Sequence, residues 1–209
     1  MYKLLIISFT LCLFISCGDN PENIFRYNKN PQYTHGEVVF YGAYYSDYGN
    51  YNYVSSLSLL SDSLKIDNYG YFRGIGQNLC ITDIFTDYTH HSPFLHDGTY
   101  TASDSGEPFT FYKGEVLTID SVDYTLGAYI YFIEKISQLS KIQLIDRGSF
   151  TVSTNAIGEK GPIQTIICDF ILKDSSKLAG TFSAELPYYD QSIGVLPINR
   201  YKKLAIKQR

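Results

Sequence analysis

The chain has no tryptophan, one methionine at position 1, and only 18% charged residues. So little charge excludes a disordered polyelectrolyte and a long exposed helix or coiled coil, both of which are built largely from charged residues. Its 7 prolines and 16 glycines in 209 residues are too few for a collagen-like repeat. Long apolar runs are missing as well: the longest extends from Leu4 to Ile15 and is broken by Ser8 and Thr10. That is short of the roughly 18 residues a membrane-spanning helix needs. No G-x-S-x-G elbow, P-loop or dinucleotide fingerprint occurs, and Gly70, Gly74 and Gly76 precede a strand pattern, which makes them turn residues. What is plentiful is aromatic: 20 tyrosines and 13 phenylalanines in a chain that is 44% hydrophobic. Such rings suit a pleated, half-buried surface, so the composition points to an all-β domain with a sizeable core.

The amino-terminal pattern of one positive charge at Lys3, a short apolar run, then Phe14-Ile15-Ser16-Cys17 reads as a secretory signal followed by a small residue and a cysteine. It resembles the lipobox of bacterial lipoproteins, with Phe14 where that family most often has Leu. The resemblance implies cleavage after residue 16 and acylation of Cys17, and two or three acyl chains give stable anchoring where one does not. Gly18 to Tyr33 is polar and aperiodic and reads as a tether. Asp19 and Glu22 just behind the cysteine resemble the acidic positions that accompany export to the outer face of the outer membrane in Bacteroidota lipoproteins; a periplasm-facing anchor is the alternative.

Residues 17–209 carry sixteen basic and twenty-one acidic residues. Five of the bases, Arg200, Lys202, Lys203, Lys207 and Arg209, fall in the last ten positions, leaving eleven bases against twenty-one acids in residues 18–199. A body that acidic argues against nucleic acid as a partner. The basic end reads as a solvated terminus.

From Gly36 onward, short apolar or aromatic runs alternate with turn residues at roughly ten-residue spacing, the pattern of a sandwich rather than of βαβ units. Gly36–Tyr45 and Tyr51–Leu60 flank a five-residue connection, Ser46 to Asn50, and predict a hairpin. Gln77–Thr86 predicts a strand with Leu79, Ile81 and Phe85 on one face and Cys80 and Ile84 on the other. Isoleucines and a leucine recur every three residues from Ile130 to Ile142, which leaves a short helix near 130–142 as the alternative to strand, loop and strand. The series Gly98-Thr99-Tyr100-Thr101, Gly148-Ser149-Phe150-Thr151-Val152, Asp169-Phe170 and Leu178-Ala179-Gly180-Thr181-Phe182 resembles the G-T-Y-T … G-T-V-T-V … D-L … L-x-G-x-Y order of uncharacterised Bacteroidota lipoproteins. That resemblance implies an antiparallel β-sandwich and brings no activity or site residues with it. The expected organisation is a signal peptide at 1–16, a lipidated cysteine and tether at 17–35, an all-β antiparallel sandwich of about nine to eleven short strands at 36–190, and a basic tail at 191–209.

Tyr41, Tyr44, Tyr45, Tyr48, Tyr51 and Tyr53 fall within thirteen positions. On a strand Tyr41 and Tyr45 would point to one face and Tyr44 to the other, so some rings must reach the surface. There they can stack on the C–H face of a sugar and hydrogen-bond through the phenol, or they can pair across strands and cap the domain edge. Cys80 and Cys168 lie in strand patterns, and two states are open to them: a disulfide, allowed in an exported chain, or two buried thiols. His90, His91 and His96 share a loop with Asp87 and Asp97 and offer metal-ligand atoms in no established metal-binding spacing. Asp47, Asn50 and Asn52 offer oxygens without the calcium-loop pattern. Asp83 and Asp87 are a conceivable carboxyl pair for glycoside hydrolysis, which needs a separation of about 5 to 9.5 Å, but twenty-one acids make some such pair inevitable. The function expected is therefore that of a non-enzymatic envelope protein without cofactor or resident metal, anchored to the membrane and binding a glycan through the tyrosines. A structural or adhesion component contacting an envelope protein is the alternative, and a hydrolase of surface polymers the third reading.

Overall fold

The computed structural model describes residues 28–61, 64–67, 71–89, 92–133 and 140–192. Cys17, the expected signal peptide, His90, His91 and most of the expected basic tail lie outside them. The described chain is all-β: β1 (Gln32–Gly42), β2 (Tyr53–Ser61), β3 (Lys65–Ile66), β4 (Phe72–Arg73), β5 (Gly76–Thr86), β6 (Gly98–Ser103), β7 (Thr110–Tyr112), β8 (Glu115–Ile119), β9 (Val122–Leu126), β10 (Ala128–Ile133), β11 (Ser140–Ile157), β12 (Pro162–Leu172), β13 (Lys177–Leu178), β14 (Thr181–Glu185) and β15 (Tyr188–Asp190). Among the described residues there is no α-helix; β10 and β11 hold the two ends of the 130–142 segment for which a helix was the alternative, and residues 134–139 lie outside the described residues. β1 begins at Gln32, so the first four of its residues belong to the domain and not to the expected tether.

The hydrogen-bonded order closes on itself. β1 pairs with β2, β2 with β5, β5 with β10, β10 with β11, β11 with β12, β12 with β14, and β14 with β1. Toward one end β7 and β6 stand in for β10 between β5 and β11. The sheet is mixed rather than purely antiparallel, since β1/β14, β1/β15 and β6/β7 run parallel. Seven strands taken around a ring with otherwise antiparallel neighbours must meet one parallel partner, and β1/β14 is that seam. A ring of this size encloses a space that side chains fill.

Alternation fills it. Along β12, Gln164, Ile166, Cys168, Phe170 and Leu172 point inward while Ile163, Ile167 and Asp169 face solvent. The core runs through every wall strand, with an aromatic seam in which Tyr100 stacks on Phe150 at 4.8 Å and 5°, and Phe111 meets Phe150 at 5.5 Å and Phe170 at 5.8 Å. Such ring pairs contribute about 0.5–1.5 kcal/mol each beyond area burial.

One face assignment is corrected by a bulge. Ser55 pairs with Ile84 but Leu57 with Ile81, so β5 carries one extra residue at Thr82–Asp83. Side-chain phase inverts across it. Ile84 therefore joins Leu79 and Ile81 in the main core, and Phe85 turns outward into a second cluster.

The two ends of the ring differ. The chain enters where β1 starts: the Lys29 carbonyl accepts from Ala179 N–H and the Asn28 N–H donates to Gln77 Oε1. β1 then runs about 33 Å at the usual rise per residue and delivers Gly42, and with it the tyrosine-rich loop, to the far end.

Candidate functional site

The tyrosines sit at that far end, where Asp87–Asp97, the 104–109 loop and the β11–β12 turn also lie. β1 stops sooner than the sequence pattern suggests. Phe40 pairs with Ser55 and Gly42 with Val54, leaving Tyr41 as a bulge residue, and Gly42 takes φ +63, a left-handed value that favours glycine. Ten residues, 43–52, then connect β1 to β2 in place of the expected five. They contain a 3-10 turn, Ser46–Tyr48, whose carbonyls are taken up locally: Tyr45 O accepts from Tyr48 N–H and Asn50 N–H, and Ser46 O from Gly49 N–H.

The six rings consequently do three different jobs. Tyr45 is buried beneath the loop, stacked on Phe85 at 5.9 Å and in contact with Tyr112 at 6.3 Å. Tyr41, Tyr44 and Tyr53 are half-buried: Tyr44 packs edge-on to Tyr45 at 4.9 Å and lies 6.1 Å from Tyr41, and Tyr53 meets Phe40 at 5.4 Å. Tyr48 and Tyr51 are 41% and 63% exposed. Four of the rings thus pack against other aromatic rings, Tyr53 alone across the β1–β2 pair, and two are left facing solvent.

Asp83 fixes the arrangement from below. Carried outward by the β5 bulge yet only 2% exposed, it accepts from Tyr45 O–H at 2.5 Å through Oδ1 and from Thr82 O–H at 2.7 Å through Oδ2. Burial first and Asp83 next push Tyr45 well above the ordinary phenol range, and the same two causes push Tyr44 up to about 12. Both phenols are protonated donors at neutral pH. From the side, the Gly106 carbonyl accepts from Asn50 Nδ2 and Asn52 Nδ2, each at 3.0 Å, and Asn50 Oδ1 accepts from Asn52 N–H. These asparagines act as clamps, with Asp47 exposed on the 3-10 turn beside them. The sequence marked Asp83 only as one of a conceivable carboxyl pair with Asp87, and Tyr112 and Gly106 not at all, because each meets the loop across 38 or more positions, a separation that hydrophobic periodicity does not register.

The remaining candidates are dispersed. Asp87 caps its own turn by accepting from Thr89 N–H, while Asp83 is committed to Tyr45 and Thr82. The His96 carbonyl accepts from Tyr100 O–H, and Asp97 accepts from Thr154 N–H and O–H; Gln164, fully buried, donates to the Leu95 carbonyl and to Thr154 and pins this loop to the barrel mouth. Among the described residues no group of three or more His, Cys, Asp and Glu is placed to hold a metal.

Cys80 and Cys168 are both free thiols. Cys168 points into the core, whereas Cys80 points out of the wall between Leu79 and Ile81, so strand alternation sets them on opposite faces. Burial pushes Cys80 up to about 11, against hydrogen bonds from Tyr129, Asn78 and Ser58, and Cys168 higher. Comparison of the chain with protein-family models, with curated proteins and with solved structures returned no match in any of the three.

Proposed function

We propose that the chain is a non-enzymatic, lipid-anchored protein of the cell envelope that captures a glycan through Tyr48 and Tyr51, with Tyr44 at the edge of the same surface. The observation that carries this reading is that two phenol rings stand in solvent on a loop held by a buried hydrogen bond from beneath and by part-buried ones from the side. Exposed rings on a fixed loop offer apolar faces to sugar C–H groups and hydroxyls to sugar oxygens, with little ordering entropy left to lose on binding. Placement at the end opposite the chain entry suits capture, because an anchor at Cys17 leaves that end directed away from the membrane.

A panel of purified polysaccharides tests the proposal. Saturable binding that weakens on Tyr51→Ala is the expected result. Absence of binding to every member, together with co-purification of a stoichiometric envelope protein, overturns it in favour of the structural role.

A further inference from the structure

We infer that the barrel end at which the chain enters is a docking face for an anionic lipid surface, onto which Lys29, Lys65, Arg73, Lys141, Lys173 and Lys177 seat the domain. All six are exposed. The topology gathers them from distant positions: Lys29 precedes β1, Lys65 and Arg73 face each other across β3 and β4, Lys141 opens β11, and Lys173 and Lys177 flank the β12–β13 turn. The hydrogen bonds from Ala179 N–H to Lys29 O and from Lys173 N–H to Leu144 O tie these segments to one end. The described acids among them are Asp67, which pairs with Arg73 at 2.9 Å, Asp174, whose carboxylate is occupied by Ser176, and Asp146, beside the β12–β13 turn and paired with Arg147 at 3.0 Å.

The opposite end is the reverse. Its connecting segments carry Asp47, Asp87, Asp97, Glu107, Glu159 and Asp190 against one lysine, Lys160. A body with eleven bases and twenty-one acids has therefore placed most of its bases at one pole. Two independent facts select a membrane as what meets that pole. The candidate acylation site Cys17 lies in the segment that joins the fold at Asn28, on the same end, so this choice of a membrane rests on the anchored reading proposed above. The charge also sits on several separate segments around the rim, which suits a flat array of headgroups better than a single small anion. Each lysine near an anionic leaflet strengthens binding by about fivefold, and the attraction decays within a Debye length of about 8 Å at physiological salt.

The inference is independent of what the tyrosine end binds. Its test is the partition of the full chain between buffer and vesicles of phosphatidylcholine, with and without phosphatidylglycerol. The ratio of the two affinities cancels the contribution of the amino-terminal segment and isolates charge. The expected ratio is well above one, falls on the order of a hundredfold in Lys65→Gln/Lys173→Gln/Lys177→Gln, and is unchanged in Lys160→Gln and in Tyr51→Ala. Exposed lysines leave the thermal midpoint in place, which each variant must show. A ratio near one for the unaltered chain overturns the inference. So does a ratio that survives the triple substitution but collapses in Arg200→Gln/Lys202→Gln/Lys203→Gln, since the carboxy-terminal bases would then be the lipid contact.

Discussion

Removing one oxygen beneath the loop, in Tyr45→Phe, isolates the interaction on which the tyrosine surface rests. The ring and its stacking on Phe85 stay, while Asp83, 2% exposed, loses the donor at 2.5 Å and keeps the Thr82 hydroxyl at 2.7 Å. A hydrogen bond to a charged group contributes about 1.5–3 kcal/mol, and leaving a buried carboxylate short of a donor places the loss at the upper part of that range. The expected cost is thus about 2–3 kcal/mol, or a fall in thermal midpoint of about 4–12 °C for a chain of this length. Urea denaturation with an unchanged m-value is the assay, run as a cycle with Asp83→Asn, where the double variant should lose less than the two single losses combined. High pH provides a second readout. Tyr44 and Tyr45 both titrate above the unfolded value near 10, Tyr44 at about 12. The unfolded chain releases these protons first, so stability holds below about pH 10 and falls above it by up to about 1.4 kcal/mol per pH unit for each tyrosine, a slope that Tyr45→Phe makes shallower. A loss below about 0.5 kcal/mol in the single variant, or strict additivity in the cycle, refutes the reasoning.

Tyr51→Ala should shift stability by less than about 0.5 kcal/mol, because a ring 63% exposed contributes little to packing; denaturation of the two proteins side by side checks it. Gly106→Ala should destabilise by about 1–2 kcal/mol and raise hydrogen exchange across residues 43–52, since a Cβ there would stand 2.6 Å from Asn50 Nδ2 on a backbone at φ +67. In folded protein at neutral pH neither thiol should react promptly with a disulfide reagent, whereas both should after denaturation without reductant, as expected for protonated groups of which Cys168 is 1% exposed. Cys168→Ser should cost about 1–3 kcal/mol by placing a hydroxyl among Phe150, Phe170 and their neighbours, measured by the same denaturation assay.

Strand content was legible wherever alternation is uninterrupted, as along Pro162–Leu172, because a period of two needs no knowledge of partners. Closure of the ring was not. It depends on Gln32 and Tyr33 meeting Thr181 and Phe182, contacts about 150 positions apart that local spacing cannot encode. The density of tyrosines between positions 41 and 53 pointed to some rings at the surface, yet alternation assigned their faces wrongly, since the strand ends at Gly42 and the left-handed residue there redirects the rings of the loop that follows. Asp83, read from the sequence only as a conceivable carboxyl partner of Asp87, hid its place beneath Tyr45 for a related reason. An acid beside Ile84 in a strand reads as solvent-facing, and only the extra residue in β5 brings it under Tyr45. The polar separation of charge was equally hidden, because Lys29, Lys65, Lys141 and Lys177 are remote in sequence and are gathered only by the fold.

The most direct test of the central claim is the affinity of the unaltered chain and of Tyr48→Ala/Tyr51→Ala for the polysaccharide that binds best, at matched thermal stability. Loss of both exposed rings should weaken binding by more than about tenfold, the scale of a removed aromatic anchor. Equal affinity in the two proteins would contradict the assignment of this face as the binding surface.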